Sequence, residues 1–507
     1  MLKKLLLGLI LCGFVTATAQ VAEKGKSFSY DNVVAEAKAL FATTYVPESE
    51  RVPRFYLELF YDQFRQIRFL PEKSIWTNSD SPWRIQFFHP GLYFNRIAKI
   101  YTVESGVVRE IAYDPSRFEF GSLGARTSER PAGHAGFRLH GEVNQKDIWD
   151  EFAVFVGASY FRLIPTQVGA TYGLSARGIA INTSASGVAE DFPFFKKFWI
   201  ERKANGENES VVYALMDSPN VCGAYKFNIR PGKKTITEVE ATVFFRESVD
   251  RVGLAPFSSM YWYGENSLKK PSDFRPEVHD SDGVIVQETT GRTWWRPISI
   301  GRETRHSSFE IGQLKGFGVR QRDLSFASYQ DLEAWYHKRP GVWVEPLEGW
   351  PNGAVHIIEL PTSEEVWDNV VCYWQPNPLP AKGAQLHFRY RITWALESEF
   401  PTSLSKVTAT HIGKKTNEPK VFHHVIDFSP IPNDTHTTPP QLKASVSGAA
   451  KLKLQNIFFN PETQGWRVVL DAEPVSAKST YEMKAVLVRD DREVSENWDY
   501  LATAAPE

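Results

Sequence analysis

Cysteine is scarce. The 507-residue chain holds three, and Cys12 lies in an N-terminal leader. A disulfide-stapled fold is excluded, because Cys222 and Cys372 can form at most one bridge. Cys372 sits in the apolar run "NVVCYW", where a buried free thiol fits at least as well as a bridge. No apolar stretch beyond the leader is long enough to span a bilayer, so no direct membrane insertion is expected. Basic blocks and stripes are also missing: 58 Lys and Arg stand against 60 Asp and Glu. That balance argues against nucleic acid and anionic membrane as partners. There is no GxSxG elbow, phosphate loop or dinucleotide fingerprint, and no internal repeat. No cofactor is expected.

The leader itself is informative. In "MLKKLLLGLILCGFVTATAQ", Lys3 and Lys4 precede an apolar core, Leu5 to Val15, and a small-residue site, Ala17-Thr18-Ala19. This is a secretory signal over 1–19, cut near Ala19. Leu11 is too large for a lipoprotein site at Cys12, and no twin-arginine pair is present, so ordinary export is expected. Losing Lys3 and Lys4 takes the formal charge from −2 to about −4.

What is abundant is aromatic: 15 Trp, 34 Phe and 19 Tyr. Such rings either fill a β-sandwich core or stack on sugar faces. Most segments alternate with period two, as half-buried strands do. In "LHFRYRITW", Leu386, Phe388, Tyr390, Ile392 and Trp394 share one face; in "YEMKAVLV", Tyr481, Met483, Ala485 and Leu487 do. Helical spacing is rarer. "DNVVAEAKALF" predicts a helix capped by Asp31, with Val33, Val34, Ala37, Leu40 and Phe41 on one stripe. "YQDLEAWYHKRP" (329–340) predicts a second helix, stopped by Pro340. The class is mainly β. A polar linker, "ESEFPTSLS" (397–405), separates a large β-domain over 20–398 from a small one over 404–507. The latter carries six or seven strand patterns, the size of an immunoglobulin-like sandwich.

One turn concentrates titratable groups: "RPEVHDSDGV", with Glu277, His279, Asp280 and Asp282. A calcium loop is ruled out by spacing, since Gly283 comes fourth where sixth is needed and Val284 occupies a ligand position. No further histidines stand in register for zinc. Paired carboxylates remain, against the alternative of a solvated turn without function. Glycoside hydrolysis needs two carboxyls in contrasting surroundings. Asp280, in a charge-dense turn, is expected to stay ionised. Asp368, beside Trp367, Val370 and Val371, is expected to be desolvated and hence a proton donor.

These stretches give the chain a family likeness. "FSYDNVVAEAKAL" (28–40), "YDQFRQIRF" (61–69), "FFHPG" (87–91), "GASYFR" (157–162), "YGLSARGIAI" (172–181), "FRPEVHDSDG" (274–283), "WWRP" (294–297), "GFGVRQRD" (316–323) and "DNVVCYWQP" (368–376) resemble the osmoregulated periplasmic glucan biosynthesis proteins, a family with G and D branches. The export signal favours the G branch. The resemblance implies a large galactose-mutarotase-like β-sandwich followed by a small immunoglobulin-like domain, in the periplasm. It also implies work on β-1,2-linked glucan beside a membrane glucosyltransferase, with inverting endo-β-1,2-glucanase activity in the D branch and a weaker one in the G branch. In that family the aspartate of DN[IV]V is the general acid, here Asp368, and the first aspartate of HDSDG the base, here Asp280. If Asp280 is the base, His279 and Asp282 are expected to orient it and keep it ionised, while by the same analogy Tyr336 and Arg339 contact sugar. For Arg339 the alternative is capping a helix end. Trp294, Trp295, Trp343 and Trp374 are subsite candidates, with core packing the alternative for each. Asn182 and Cys372-Tyr373 depart from the family's commoner Asp and Ala-Phe. Two readings stay open: a glucan hydrolase, and a non-catalytic glucan-binding or scaffold protein.

Overall fold

The computed structural model describes residues 27–47, 52–124, 129–166, 169–204, 206–434 and 438–504; the signal expected over 1–19 lies outside them. Two large sheets face each other. A ten-stranded sheet runs from Trp83–Phe88 through Gly136–Gly141, Asp150–Val156, Tyr160–Leu163, Ser175–Arg177, Val252–Ser259, Val370–Pro376 and Gly353–Glu359 to Arg305–Glu310, with Ile179–Ile181 as a tenth strand beside Val252–Ser259. Opposite lies a fifteen-stranded sheet centred on Gln385–Ala395, Thr235–Phe245, Val221–Arg230 and Ser210–Asp217.

Their inner faces follow from the alternation. Phe388, Tyr390, Ile392 and Trp394 are buried because strand side chains alternate between faces. They meet the ten-stranded sheet through ring contacts such as Phe257–Trp394 at 6.2 Å, Phe155–Phe227 at 5.2 Å and Phe137–Phe198 at 5.0 Å. On the outer face of the larger sheet, charge takes over: Glu238 accepts from Arg391 at 2.8 Å and from Arg230 at 3.1 Å.

Strand Ser210–Asp217 is buried on both faces, because the helix Tyr30–Phe41 lies across it. Val33 and Ala37 pack on Val211, Tyr213 and Cys222. The expected helix is present, but Ser29 rather than Asp31 precedes it, with its N–H donating to Asn32 Oδ1 at 2.8 Å. Asp31 sits in the first turn, where it complements the helix dipole. The helix expected over 329–340 does not form. It breaks into one turn, Phe326–Tyr329, and a 3-10 turn, Tyr336–Lys338, because Gln330 and Trp335 take left-handed φ of 52° and 53°.

After Phe400 come eight strands. Val407–Lys414, Phe422–Phe428, Gly465–Pro474 and Ala450–Asn460 form a four-stranded sheet. Its partner strands, Gln441–Gly448, Thr480–Arg489 and Asn497–Thr503, are part of the fifteen-stranded sheet, joined by parallel pairing of Trp294 with Asn497 and Trp295 with Trp498. Tyr481, Met483, Ala485 and Leu487 fill the core between them. The segment expected as a linker is anchored as well: buried Glu397 pairs with Arg320 at 3.2 Å and with Lys406 at 2.9 Å. Cys222 and Cys372 are free and buried, the first under the helix and the second between the two large sheets.

Candidate functional site

The acidic turn follows a short two-stranded hairpin, Tyr261–Tyr263 with Val278–His279. Asp280 donates its N–H to the Met260 carbonyl at 2.8 Å, which sets the turn against the rim of the ten-stranded sheet. The next strand starts at Gly283, where a Cβ would collide with the Trp295 ring. The glycine of "DSDG" thus makes room for a tryptophan.

Asp280 is buried, against the alternative of a solvated turn. The reason is the chain that covers it: Arg339, from the segment expected to be helical, lays its guanidinium on Asp280 Oδ1. Arg339 also donates to the Ala334 carbonyl at 3.1 and 3.2 Å and lies over the Tyr336 ring at 4.4 Å. Its own N–H closes the 3-10 turn Tyr336–Lys338 on the Tyr336 carbonyl at 3.1 Å, so it sits at that turn's C-terminus while its side chain reaches Asp280. Burial pushes the Asp280 carboxyl above its usual range; Arg339 opposes this, and the charge of Asp368 adds to it. Arg339 holds one oxygen of the carboxyl, Oδ1.

Asp368 lies in the loop between Gly353–Glu359 and Val370–Pro376, and its side chain is exposed. The desolvating surroundings expected from its neighbours are absent, because Val370 and Val371 are buried in separate packed clusters while Trp367 faces solvent. The contrast between the two acids is therefore the reverse of the expected one. Asp368 nevertheless lies near enough to act on both Asp280 and Tyr160. Around them the open face of the ten-stranded sheet is polar. Arg162 donates to Ser175 Oγ at 2.7 Å, and Arg177 to Ser258 Oγ at 3.0 Å and Glu190 at 2.7 Å. Arg177 also lies over Tyr160 at 4.9 Å.

His279 and Asp282 stand behind Asp280. Gln321 Nε2 donates to the carbonyls of His279 at 2.8 Å and Tyr336 at 3.3 Å, which turns its Oε1 toward His279 Nδ1 at 3.0 Å. Nδ1 therefore carries a proton. Nε2 faces Glu277 at 2.9 Å. Both ring nitrogens meet acceptors, the arrangement an imidazolium needs. Burial opposes the charge of His279, yet Glu277 outweighs it and raises the pKa. His279 stacks on Tyr261 at 5.0 Å and is too buried to touch a ligand. Asp282 turns away from Asp280, its Oδ2 accepting from the N–H groups of Arg322 at 2.8 Å and Asp323 at 3.1 Å. Burial pushes it up to about 6.

Of the remaining candidates, Tyr336 stays at the site beneath Arg339, and the tryptophans scatter. Tyr336 is buried and donates to Glu365 at 2.6 Å. Trp374 is buried in the main core, its Nε1 donating to the Pro351 carbonyl at 3.1 Å. Trp295 is buried in the C-terminal core beneath Arg322. Neither can serve as a subsite, since each indole faces the packed side of its strand. Trp294 and Trp343 are half-buried on the fifteen-stranded sheet, beside Phe309 at 6.3 Å and Arg320 at 5.8 Å respectively. Sequence reasoning missed Arg162, Arg177, Arg275, Gln321 and Glu365, none of which stands in a spacing that announces a site.

A family model described as "Periplasmic glucan biosynthesis protein, MdoG" matches residues 28–502. The chain belongs to this family. Relatives named glucans biosynthesis protein G include that of Rhodopseudomonas palustris, 38% identical over 490 residues and 96% of either chain. That of Pseudomonas aeruginosa is 37% identical over 510 residues, 98% of this chain and 96% of its own. That of Shewanella baltica is 39% identical over 491 residues, 95% of this chain and 88% of its own. The family match spans Asp280, Arg339 and Asp368 together, so the site lies wholly within it.

Proposed function

We propose that this protein binds β-1,2-linked glucan in the periplasm and cleaves it internally with inversion, Asp368 acting as general acid and Asp280 as general base. The reading is supported above all by the setting of Asp280, buried under Arg339, which holds only one oxygen of its carboxyl, with Asp368 close enough for its charge to push the Asp280 pKa up. Family membership and the polar face around Arg162 and Arg177 support it.

In this mechanism Asp280 Oδ2 takes a proton from water as the water oxygen bonds to the anomeric carbon. Asp368 gives its proton to the glycosidic oxygen as that C–O bond breaks. The products are two shorter glucans, one with an inverted, α-configured reducing end. Solvent then returns a proton to Asp368 and removes one from Asp280. Burial raises the Asp280 pKa, which strengthens it as a base, while the Arg339 guanidinium favours its ionised form. Asp368, exposed when the cleft is empty, loses its water when a sugar covers it.

The test is direct. Pure protein incubated with linear β-1,2-glucan gives shorter chains, α-configured by NMR at early times. Asp280→Asn and Asp368→Asn still bind glucan calorimetrically and cut it at least about 100-fold more slowly, the contribution of one acid or base. Intact glucan after prolonged incubation would reject hydrolysis. It would favour the second reading, a glucan-holding protein beside a membrane glucosyltransferase, in which Arg339 keeps Asp280 permanently engaged.

A further inference from the structure

Residues 360–369 carry Asp368 and are held in an uneven way. At the neck, Leu360 donates its N–H to the Asn369 carbonyl at 2.8 Å, and Asn369 Nδ2 returns a bond to the Leu360 carbonyl at 2.9 Å. Asn369 is buried and also bound to Tyr261. Beyond the neck the loop stands out, with Val366 69% and Trp367 65% exposed. Among the described residues, one side chain ties 361–368 to the rest by hydrogen bond or ion pair. Glu365 Oε2 accepts from Tyr336 Oη at 2.6 Å and from Arg275 Nη1 at 2.7 Å.

Both partners belong to the lobe that holds Asp280. Arg275 lies five residues before it, and Tyr336 three before Arg339. Arg275 is also overcommitted. It pairs with Asp273 at 2.8 Å, Asp331 at 2.9 Å and Glu365 at 2.7 Å, one positive charge among three carboxylates. Asp273 and Asp331 are 16% and 9% exposed, whereas Glu365 is 35% exposed and comes from another loop. Releasing a buried carboxylate is costly, while releasing a half-solvated one from an already neutralised cation is cheap.

We propose that Glu365 is a latch, a positioning residue that pins the 360–369 flap to the Arg275–Tyr336 lobe and so sets Asp368 against Asp280. Released, the flap swings about the Leu360–Asn369 neck and opens the cleft sideways, letting the interior of a long glucan enter without threading from an end. Closed, it lays the Trp367 ring and Asp368 over the chain. The catalytic part of this inference rests on the hydrolase reading above; the latch does not.

The test is Glu365→Gln, which keeps an acceptor for Tyr336 and removes the charge that Arg275 holds, with Glu365→Asp as a second variant that keeps the charge on a shorter arm. Amide hydrogen exchange over 361–368, read by mass spectrometry without ligand, is expected to speed up about tenfold in Glu365→Gln as the loop opens. Raising salt speeds this exchange in the wild type and leaves Glu365→Gln unchanged, because only the wild-type latch is ionic. With glucan, kcat falls about tenfold as the acid loses its position, and the glucan affinity of the Asp280→Asn background falls as well, because Trp367 leaves its place over the chain with the flap. Unchanged exchange in both variants overturns the latch, even if the wild type cleaves glucan normally. Faster exchange with no cleavage by the wild type upholds the latch and rejects hydrolysis.

Discussion

Asn369 holds the main chain of Tyr261 with both ends of its carboxamide: Oδ1 accepts the Tyr261 N–H and Nδ2 donates to the Tyr261 carbonyl, each at 2.9 Å. The preceding carbonyl, of Met260, takes the Asp280 N–H. One dipeptide therefore carries both proposed catalytic acids. Asn369→Asp turns an oxygen toward the carbonyls of Tyr261 and Leu360. It is expected to destabilise the protein by about 1–3 kcal/mol, the cost of buried polar groups left unmade, and to reduce glucan cleavage. Chemical denaturation and product assays measure the two effects.

The Glu277–His279 pair sets a pH window. The folded-state pKa of His279 is raised, so its contribution is complete below 6.5 and is lost as pH rises through the folded value. Burial pushes Glu277 up, but His279 holds it below 4.5, so its contribution is complete above 4.5 and is lost as pH falls through the folded value. The pair thus helps most between 4.5 and 6.5. Glu277→Gln leaves an uncompensated buried cation and is expected to cost about 3–5 kcal/mol in that window. Urea unfolding at pH 5.5 against pH 8.5 (both about those values) reads the difference, which should shrink at the higher pH.

Glu265 works in the opposite direction. Its carboxylate accepts the Thr410 N–H across to the four-stranded sheet, and with Glu277, His279 and Asp282 it lines one small cavity. Burial pushes it up to about 8, with Glu277 and Asp282 adding to the effect, while the Thr410 N–H and His279 oppose it. A raised acid stabilises the fold only while protonated, so stability declines from 4.5 to about 8. Glu265→Gln keeps the bond to Thr410 and removes that decline. Thermal melts across this range are expected to be flatter for the variant than for the wild type.

Tryptophans separate by location. Trp374→Ala, in the main core, is expected to cost about 3–5 kcal/mol. Trp367→Ala, on the exposed flap, is expected to change stability by less than about 0.5 kcal/mol and to weaken glucan binding. Equal effects on stability would contradict the burial pattern.

The two thiols are shielded in the folded state. Burial pushes Cys222 up to about 12 and Cys372 higher still. Neither is expected to react with a thiol reagent until denaturant is added, and both should then react; a mass unchanged by reductant confirms that they are unbridged.

Much of the fold was legible because it rests on local alternation. Residues 385–395 form one long strand with the predicted inner face, and 30–41 the predicted helix. The segment 329–340 misled because tertiary contacts override its periodicity. Asp331 accepts from Glu333 N–H at 2.7 Å and Ala334 N–H at 2.6 Å while binding Arg275, and Arg339 is drawn to Asp280. For the site, the family motifs singled out Asp280 and Asp368, but their surroundings were hidden. Burial of Asp280 depends on Arg339, 59 positions away, and Glu365 is 90 positions from Arg275. Sequence neighbours do not report such contacts.

The parallel pairing of Trp294 and Trp295 with Asn497 and Trp498 governs the order of assembly. A chain made N-terminus first cannot complete its largest sheet until the strand ending at Thr503 has arrived. Until then the edge of the strand Thr293–Pro297 stays open, with Trp295 uncovered. Arrival of those last strands closes that edge, so nearly the whole length must be delivered before the exposed tryptophan is safe from other chains.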